Sequence, residues 1–479
     1  MHSIDVDQVD SRRIDWREQS PALWDPDLIA RYDLSGPRYT SYPTAPQFGE
    51  DFGRREIGRA IALSNARGRP LSLYVHIPFC SRVCYYCACN RIITADRKLA
   101  PPYLDRLERE MAALAALVDT ARPVNQLHWG GGTPTYISDD EKRRLMAATR
   151  RLFNLRQDDR GEYAIEIHPG DTTVASIGCL RELGFNRLSM GVQDFDPDVQ
   201  RAVNRFNSVA EVAALVAAAR SQGFHSLGMD LIYGLPLQTW PRFARTLDAV
   251  IELSPDRLSI FNYAHMPRLF KTQRHMDVGQ MPGPEEKLDI LHRATERLLL
   301  AGYVFIGMDH FAKPGDDLAV AQREGRLARN FQGYATHGDC DLLAFGVSAI
   351  SAYGDCFAQN HKDLVSYNQA VDSGELPVAR GIGLSADDLL RAKVIEGLIC
   401  HFHLDVAAIE QRFGIVFADY FRAELGQLAA MADDGLVAIE PHAIVVTARG
   451  RLLIRRICMV FDAWLRGGGQ RGQGFSRII

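Results

Sequence analysis

Leu71-Ser72-Leu73-Tyr74-Val75-His76-Ile77-Pro78-Phe79-Cys80-Ser81-Arg82-Val83-Cys84-Tyr85-Tyr86-Cys87-Ala88-Cys89 runs an apolar strand straight into a loop with four cysteines. The C-x3-C-x2-C spacing supplies three thiolates, one short of closing a four-iron cluster, and Cys89 follows after a single alanine. Structural zinc also takes four cysteines. Its sites usually present two C-x2-C halves, roughly a dozen or more residues apart, each on its own knuckle. Four thiols on one loop fit that geometry poorly, so the loop favours an iron-sulfur site.

Outward from this loop, short β-prone runs alternate with helical periodicity. Strands are expected at Leu71 to Ile77, Val124 to Trp129, Tyr163 to Ile167, Arg187 to Met190, Ser226 to Ile232 and Arg257 to Phe261. Helices are expected at Tyr103 to Val118, Asp139 to Phe153, Ser208 to Gln222, Trp240 to Leu253 and Glu285 to Leu300. This rhythm predicts an α/β fold, a partial or open parallel (β/α) barrel with function at the C-terminal strand ends. Residues 1–50, rich in proline and aromatics from Gly36 to Pro46, predict an extended N-terminal arm, and residues 51–370 carry the barrel. Residues 371–479 predict a mostly helical C-terminal domain, with helices at Ala386 to Cys400 and Asp405 to Phe413 and a hairpin at Val437 to Thr447. Gly467 to Gly472 reads as flexible. A β-wing on helices can bind DNA, but no clearly basic recognition helix accompanies it, so a lid or packing role is expected.

With 479 residues, 47% hydrophobic and 24% charged, the chain is neither disordered nor fibrous. A formal net charge of -4 offers no global field for a nucleic-acid backbone. No apolar run is long enough to span a membrane and the first residues are acidic, so a cytoplasmic protein is expected. Of nine cysteines, Cys179, Cys340, Cys356, Cys400 and Cys458 are scattered in apolar sequence and read as buried small hydrophobes.

Further motifs fall at strand ends. Gly130-Gly131-Gly132-Thr133-Pro134 lets backbone approach a ligand and present amide donors, a candidate cradle for a carboxylate and an amine. Glu166 lies near the end of its strand, placed to meet a hydroxyl or an ammonium. Gln193, Arg205 and Asp230 follow at or beyond later strand ends, and their repeated placement points to one shared pocket.

The cysteine loop on a first strand followed by Gly-Gly-Thr resembles the radical S-adenosylmethionine (SAM) superfamily. Pro37-Arg38-Tyr39-Thr40-Ser41-Tyr42-Pro43-Thr44, Cys89, Gly184-Phe185-Asn186-Arg187 and Asn330-Phe331-Gln332-Gly333-Tyr334 resemble the oxygen-independent coproporphyrinogen III oxidases, also called coproporphyrinogen dehydrogenases. The similarity runs from about Pro21 to the final Ile479.

The resemblance implies that Cys80, Cys84 and Cys87 hold a 4Fe-4S cluster whose fourth iron binds SAM. It implies decarboxylation of two propionates of coproporphyrinogen III to vinyl groups, giving protoporphyrinogen IX, through a radical derived from SAM. Tyr74, Tyr86, Gly131, Glu166 and Ile350 would line one SAM. Gly132, Thr133, Gln193, Arg205, Asp230 and Ala264 would surround a second. Arg38 and Gln332 are the candidates for meeting substrate, with a salt bridge pinning the arm as the other reading of Arg38. Tyr39 and Tyr42 pack on the tetrapyrrole or on the barrel rim. Cys89 matters for activity without binding iron. Tyr86, Ala88 and His168 depart from the family pattern, and His168 is placed to alter the charge near Glu166. A low-potential electron donor is required, a monomer is expected, and the alternative function is that of a related heme-binding delivery protein. That group lacks the arm and the Cys-x-Cys ending and carries histidine near where Arg329 stands here.

Overall fold

The computed structural model describes residues 24–466 together with residues 475 and 477. Gly467 to Gly472, and residues 1–23 of the arm, lie outside the described residues.

Twelve strands lie on the main path of a thirteen-stranded sheet. They are β1 (Leu71–Ile77), β2 (Pro123–Gly131), β3 (Glu162–Ile167), β4 (Arg187–Gln193), β5 (Ser226–Tyr233), β6 (Arg257–Asn262), β7 (Val304–Gly307), β8 (His310–Ala312), β9 (Asp341–Phe345), β10 (Ile350–Tyr353), β11 (Cys356–Asn360) and β12 (Val378–Gly383). Their order is β7-β8-β6-β5-β4-β3-β2-β1-β9-β10-β11-β12. From β6 across to β9 every pairing is parallel. Antiparallel pairings add the remaining strands at either side, so the sheet curls without closing, as a partial barrel. β12 carries the sheet past residue 370, into sequence expected to be helical. Its Val-Ala-Arg-Gly-Ile-Gly run lacks the apolar alternation that marks a strand.

Each parallel strand alternates, and its apolar face is the outer one. Leu71, Leu73, Val75 and Ile77 of β1, with Leu127 and Trp129 of β2, are fully buried, as are Leu104, Leu107 and Met111 of the helix Ala100–Ala115. The opposite faces carry Gln126 and His128, Glu162 and Glu166, Arg187 and Ser189, Ser226 and Asp230, and Arg257 and Ser259, which line a cavity inside the barrel. The lumen is therefore polar, and the core lies between sheet and helices. At its N-terminal end Glu162 accepts from Gln126 Nε2 at 2.9 Å and Thr336 Oγ1 at 2.6 Å. Burial would raise its carboxyl, but Arg187 and Arg257 hold it at about 2. Asn186 accepts from Tyr163 N at 3.1 Å and from Arg187 Nη1 at 2.8 Å, so the Gly184 to Arg187 segment belongs to this plug.

Local chemistry sets the element ends. The helix expected from Tyr103 starts at Ala100, because Pro101 and Pro102 occupy a first turn where no N–H partner is needed. Ser138 with Glu141, and Ser208 with Glu211, form reciprocal capping boxes that start the helices Asp139–Leu152 and Val209–Ser221. β4 runs beyond Met190 through an irregularity between Gly191 and Gln193, with Gln193 at φ 69°. The arm is not extended throughout: Asp25 caps a helix at Pro26–Tyr32. In the C-terminal part the helices Ala386–His401 and Val406–Phe413 appear, and the expected hairpin, Val437–Ile439 with Ala443–Val446, gains a third strand at His403–Asp405.

Candidate active site

The cysteine loop is closed at its base by Phe79–Cys80 pairing in parallel with Ile92–Ile93. It is tied to its surroundings by Ser81 Oγ to Asp171 at 2.6 Å, Asn204 Nδ2 to Val83 O at 2.7 Å and Tyr85 N to Val203 O at 3.0 Å. Arg91, which sequence reasoning missed, braces it from within. Its Nη1 donates to Cys87 O at 2.9 Å and Cys89 O at 3.1 Å, and its Nη2 to Cys84 O at 3.5 Å and Thr272 Oγ1 at 3.1 Å. Cys80 Sγ accepts from Thr133 Oγ1 at 3.4 Å and Cys84 Sγ from Arg205 Nη1 at 3.6 Å. The Cys89 thiol, hydrogen-bonded to Cys87, lowers the Cys87 thiol to about 6, with Arg91 and Arg205 adding to the effect. Burial pushes Cys80 up to about 11.

Beside the loop the inward residues of β1, β2 and β3 form one network. Tyr74 Oη lies 3.2 Å from His76 Nδ1, and His76 Nε2 lies 3.0 Å from Asn90 O. Burial lowers the His76 pKa, so the neutral ring donates from Nε2 to Asn90 and accepts at Nδ1 from Tyr74. Tyr74 stacks on His128 at 5.8 Å, and His128 Nε2 lies 3.1 Å from Glu166 Oε1. The side chain of Glu166 remains 45% exposed.

The three glycines act differently from the expected cradle of free amides. Gly131 N donates to Glu166 Oε2 at 3.3 Å, Gly132 N to Ile77 O at 2.8 Å and Thr133 N to Phe79 O at 2.9 Å, so all three donors are engaged within the protein. What the sequence supplies here is the absence of Cβ atoms. One on Gly132 would stand 2.5 Å from Pro78 O, and one on Gly131, at φ 116°, 2.7 Å from the His76 ring.

At the end of β4, Gln193 stands with Arg205, which follows the helix Pro197–Val203, under Gly191, where a Cβ would meet both at 2.8 Å. Arg205 also donates to Gly191 O. Gln193 Oε1 and Arg205 Nε are buried without a hydrogen-bond partner. Asp230 accepts from Ser189 Oγ at 3.2 Å, and burial raises its carboxyl to about 6, with Glu166 adding to the rise. Ala264 follows β6, and its carbonyl accepts from Gln273 Nε2 at 3.3 Å, the same amide that donates to Tyr86 O at 3.0 Å. Ile350 opens β10, which follows β9, the neighbour of β1. His168 does not add charge beside Glu166. Burial, with Arg205 assisting, lowers its pKa to about 4, and its neutral Nδ1 accepts from Gly170 N at 3.1 Å.

The arm and a hairpin of Ala328–Asn330 with Gly333–Ala335 cover the lumen. Arg38 forms an ion pair with Asp309, its guanidinium lies 5.9 Å from the Phe261 ring centroid, and burial, with Arg455 and Arg329 nearby, lowers its pKa to about 9. The arm-pinning reading of Arg38 is thus realised in this structure. Arg329, also missed from sequence, lies 4.7 Å over the Tyr334 ring and donates from Nε to Arg38 O at 3.3 Å. Gln332, at the hairpin tip, lines the lumen, and its Nε2 is buried without a hydrogen-bond partner. His310 lies beside it; burial and the three arginines Arg329, Arg38 and Arg257 keep it neutral. Tyr39 Oη donates to Asp462 at 3.0 Å, and Tyr42 Oη accepts from Ala463 N at 3.0 Å, so both fasten the arm to the C-terminal segment. Arg455 completes the attachment, donating to Pro37 O at 3.0 Å and Arg477 O at 2.7 Å.

All nine cysteines are free. Among the described residues no group of three or more His, Cys, Asp or Glu side chains is arranged to hold a single metal ion. Thiols distributed around one loop suit a multi-iron cluster, whose irons occupy separate corners. Arg205, Arg91 and Thr133 offer the positive charge and donors that a cluster held by three thiolates needs. Gln193 Oε1 and Arg205 Nε keep unused hydrogen-bonding capacity.

Residues 74–250 match the radical SAM superfamily, and residues 384–453 match the HemN C-terminal domain. An oxygen-independent coproporphyrinogen III oxidase from Pseudomonas aeruginosa is 52% identical over 456 residues, 95% of this chain and 99% of that protein. The Escherichia coli protein of the same name is 54% identical, covering 95% and 98%. A structure of the Escherichia coli coproporphyrinogen III oxidase, HemN, superposes with a TM-score of 0.88 over 92% of this chain and 99% of that one, at 52% identity. No helix among the described residues is long and apolar enough to cross a membrane. With this identity across nearly its whole length, and with its cysteine loop at the mouth of a partial barrel, the chain belongs to the oxygen-independent coproporphyrinogen III oxidases of the radical SAM superfamily.

Proposed function

We propose that the site converts two propionates of coproporphyrinogen III to vinyl groups with loss of carbon dioxide, without oxygen, as a step of heme biosynthesis. The observation that supports it most is the meeting, at one barrel mouth, of the cysteine loop, buried polar atoms without partners and an arginine-bearing arm. When bound, a four-iron cluster with an open iron and SAM supply one-electron chemistry able to break an unactivated C–H bond.

Cys80, Cys84 and Cys87 would hold the cluster, with Thr133 and Arg205 donating to their sulfurs. Tyr74, Tyr86, Gly131, Glu166 and Ile350 would line the SAM at the open iron, with the Tyr74–His76–Asn90 relay fixing the loop against them. Gly132, Thr133, Gln193, Arg205, Asp230 and Ala264 would surround a second SAM, toward which the Gln193 amide and the Arg205 Nε carry unused hydrogen-bonding capacity. The lumen cavity is about 240 Å³, and Gln332 lines it together with Glu166 and Asp230. Gln332 Nε2 is the donor that meets a propionate there, and Arg38 meets another by exchanging Asp309 for the substrate carboxylate. The Cys89 thiol is hydrogen-bonded to Cys87, and that neighbour raises its pKa. The arm, fastened through Tyr39, Tyr42 and Arg455, keeps water out of the mouth.

The test is anaerobic reconstitution followed by SAM, a low-potential reductant and coproporphyrinogen III, measuring 5'-deoxyadenosine, carbon dioxide and the tetrapyrrole product. Two carbon dioxide molecules per product are expected. Tight stoichiometric heme binding without decarboxylation would overturn the reading.

A further inference from the structure

We propose that Arg329, with the hydroxyls of Ser41 and Ser72, forms a carboxylate subsite in a second cavity under the arm, and that this subsite holds a propionate of the tetrapyrrole that is not being converted. The proposal rests on the reading of coproporphyrinogen III as substrate, which carries four propionates while only two become vinyl groups. No bond changes at this subsite, so its role is binding and specificity.

The cavity lies between the arm, the inner face of the sheet, the strand Ala328–Asn330 and the helix Ala386–His401, and measures about 200 Å³. That exceeds the roughly 150 Å³ of an engineered cavity able to admit benzene, so a carboxyethyl arm fits. Gln126 and Asn330 line both this cavity and the lumen, so the two adjoin. Its apolar wall includes Leu342, Phe357 and Ile399, which suit the methylene carbons of such an arm.

The polar wall identifies the ligand. Ser41 Oγ, Ser72 Oγ, Arg329 Nη1 and Gln126 Oε1 are buried without a hydrogen-bond partner, and all four residues line this one cavity. Ser72 and Gln126 are only 2% and 6% exposed. Buried polar groups are ordinarily paired, so orphans gathered around one space point to a polar ligand. The other ends of these side chains are engaged: Arg329 Nε donates to Arg38 O at 3.3 Å, and Gln126 Nε2 donates to Glu162 at 2.9 Å. The Arg329 guanidinium is further oriented by the Tyr334 ring, 4.7 Å away. Among the described residues Arg329 forms no ion pair, and Glu396, the carboxylate in the cavity wall, is taken by Lys393. Burial, then Arg455 and Arg329, lower the Arg38 pKa to about 9, so one more anion among these cations is favoured. A carboxylate has the lone pairs to accept from a guanidinium nitrogen and two hydroxyls together. Gln126 Oε1 offers only an acceptor, which sets the carboxylate at the Arg329 end and the methylenes toward the lumen. A cationic ligand is the poorer occupant, since Arg329 repels it.

The experiment compares reconstituted wild type, Arg329→Gln, Arg329→Lys and Ser72→Ala on two substrates. One is coproporphyrinogen III, and the other is a porphyrinogen that keeps the two reacting propionates and carries ethyl groups in place of the remaining two. Carbon dioxide release gives KM and kcat, while iron content and SAM binding by equilibrium dialysis should stay at wild-type levels. In Arg329→Gln the KM for coproporphyrinogen III should rise at least about tenfold, and by more than kcat falls. The KM for the ethyl analogue, already raised in wild type, should change less than about twofold, because the group that Arg329 meets is gone. Arg329→Lys should recover part of the loss, and Ser72→Ala should show a rise of about threefold confined to coproporphyrinogen III. If Arg329→Gln loses iron, Ser72→Ala, which removes a hydroxyl without a partner, decides by the same comparison of substrates. An unchanged KM for coproporphyrinogen III in the variants, or an equal rise for both substrates, would overturn the proposal. If wild type releases no carbon dioxide from either substrate, the reading of the function fails and the subsite with it, a result distinct from turnover with unaltered KM.

Discussion

Asp230→Asn should make the protein more stable and the enzyme worse. Asp230 faces the lumen from β5, hydrogen-bonded by Ser189 Oγ at 3.2 Å and Ser259, with no cation paired to it in an ion pair. Burial and the nearby Glu166 raise its carboxyl from 3.8 to about 6. The folded state therefore binds this proton more tightly than the unfolded chain does. Its contribution is fully present below the unfolded pKa, is lost as pH rises from about 4 to about 6, and stays lost above. Such a rise corresponds to about 3 kcal/mol at pH 8 and roughly half that at pH 5. Asparagine keeps the shape and stays neutral at every pH, and hydroxyls of Ser189 and Ser259 can rotate to suit it. Urea unfolding of anaerobic, reconstituted wild type and variant at pH 5, 6.5 and 8 should show a gap favouring the variant that widens with pH. Turnover should fall, because the carboxylate assigned to the second SAM is gone. A variant no more stable than wild type at pH 8, or a gap independent of pH, would refute the reasoning.

Gly132→Ala places a Cβ 2.5 Å from the Pro78 carbonyl oxygen and should cost about 1–3 kcal/mol or more and impair cluster uptake, measured by urea midpoint and iron content. Gly58→Ala, in an exposed helix position where a Cβ meets nothing within 4 Å, should stabilise by about 0.5–1 kcal/mol. Arg91→Met removes the donors to Cys84 O, Cys87 O and Cys89 O and should lower iron retained after gel filtration about twofold or more, with Arg91→Lys recovering part of it. Cys89→Ser should retain the cluster, seen in its absorbance, and SAM binding, seen by equilibrium dialysis, while losing decarboxylation.

Much of the barrel was legible because β-α alternation depends on local patterns. The runs Leu71 to Ile77, Tyr163 to Ile167 and Ser226 to Ile232 show period two, and Ser138 and Ser208 announce their helices through capping boxes with Glu141 and Glu211. β12 and the helix Pro26–Tyr32 were harder to read, the one lacking alternation and the other short. The glycines show the limit for the site. Gly130 to Gly132 mark close backbone approach in sequence, but whether their amides face a ligand or the neighbouring strand is a matter of register, and here Glu166 takes that of Gly131 and Ile77 that of Gly132.

The sequence by itself determined the chemistry on offer: three thiolates at fixed spacing on one loop after one strand, since ligand spacing along a short loop survives in any fold that keeps the loop. It also determined the parallel sheet, because a strand, helix, strand rhythm has few ways to bury its apolar faces. Only the tertiary structure decided that the polar faces of these strands line an inner cavity, because alternation reports two faces without saying which is enclosed. It likewise decided that Arg38 meets Asp309 and that Tyr39 reaches Asp462, contacts between residues as many as 423 positions apart that no local pattern encodes.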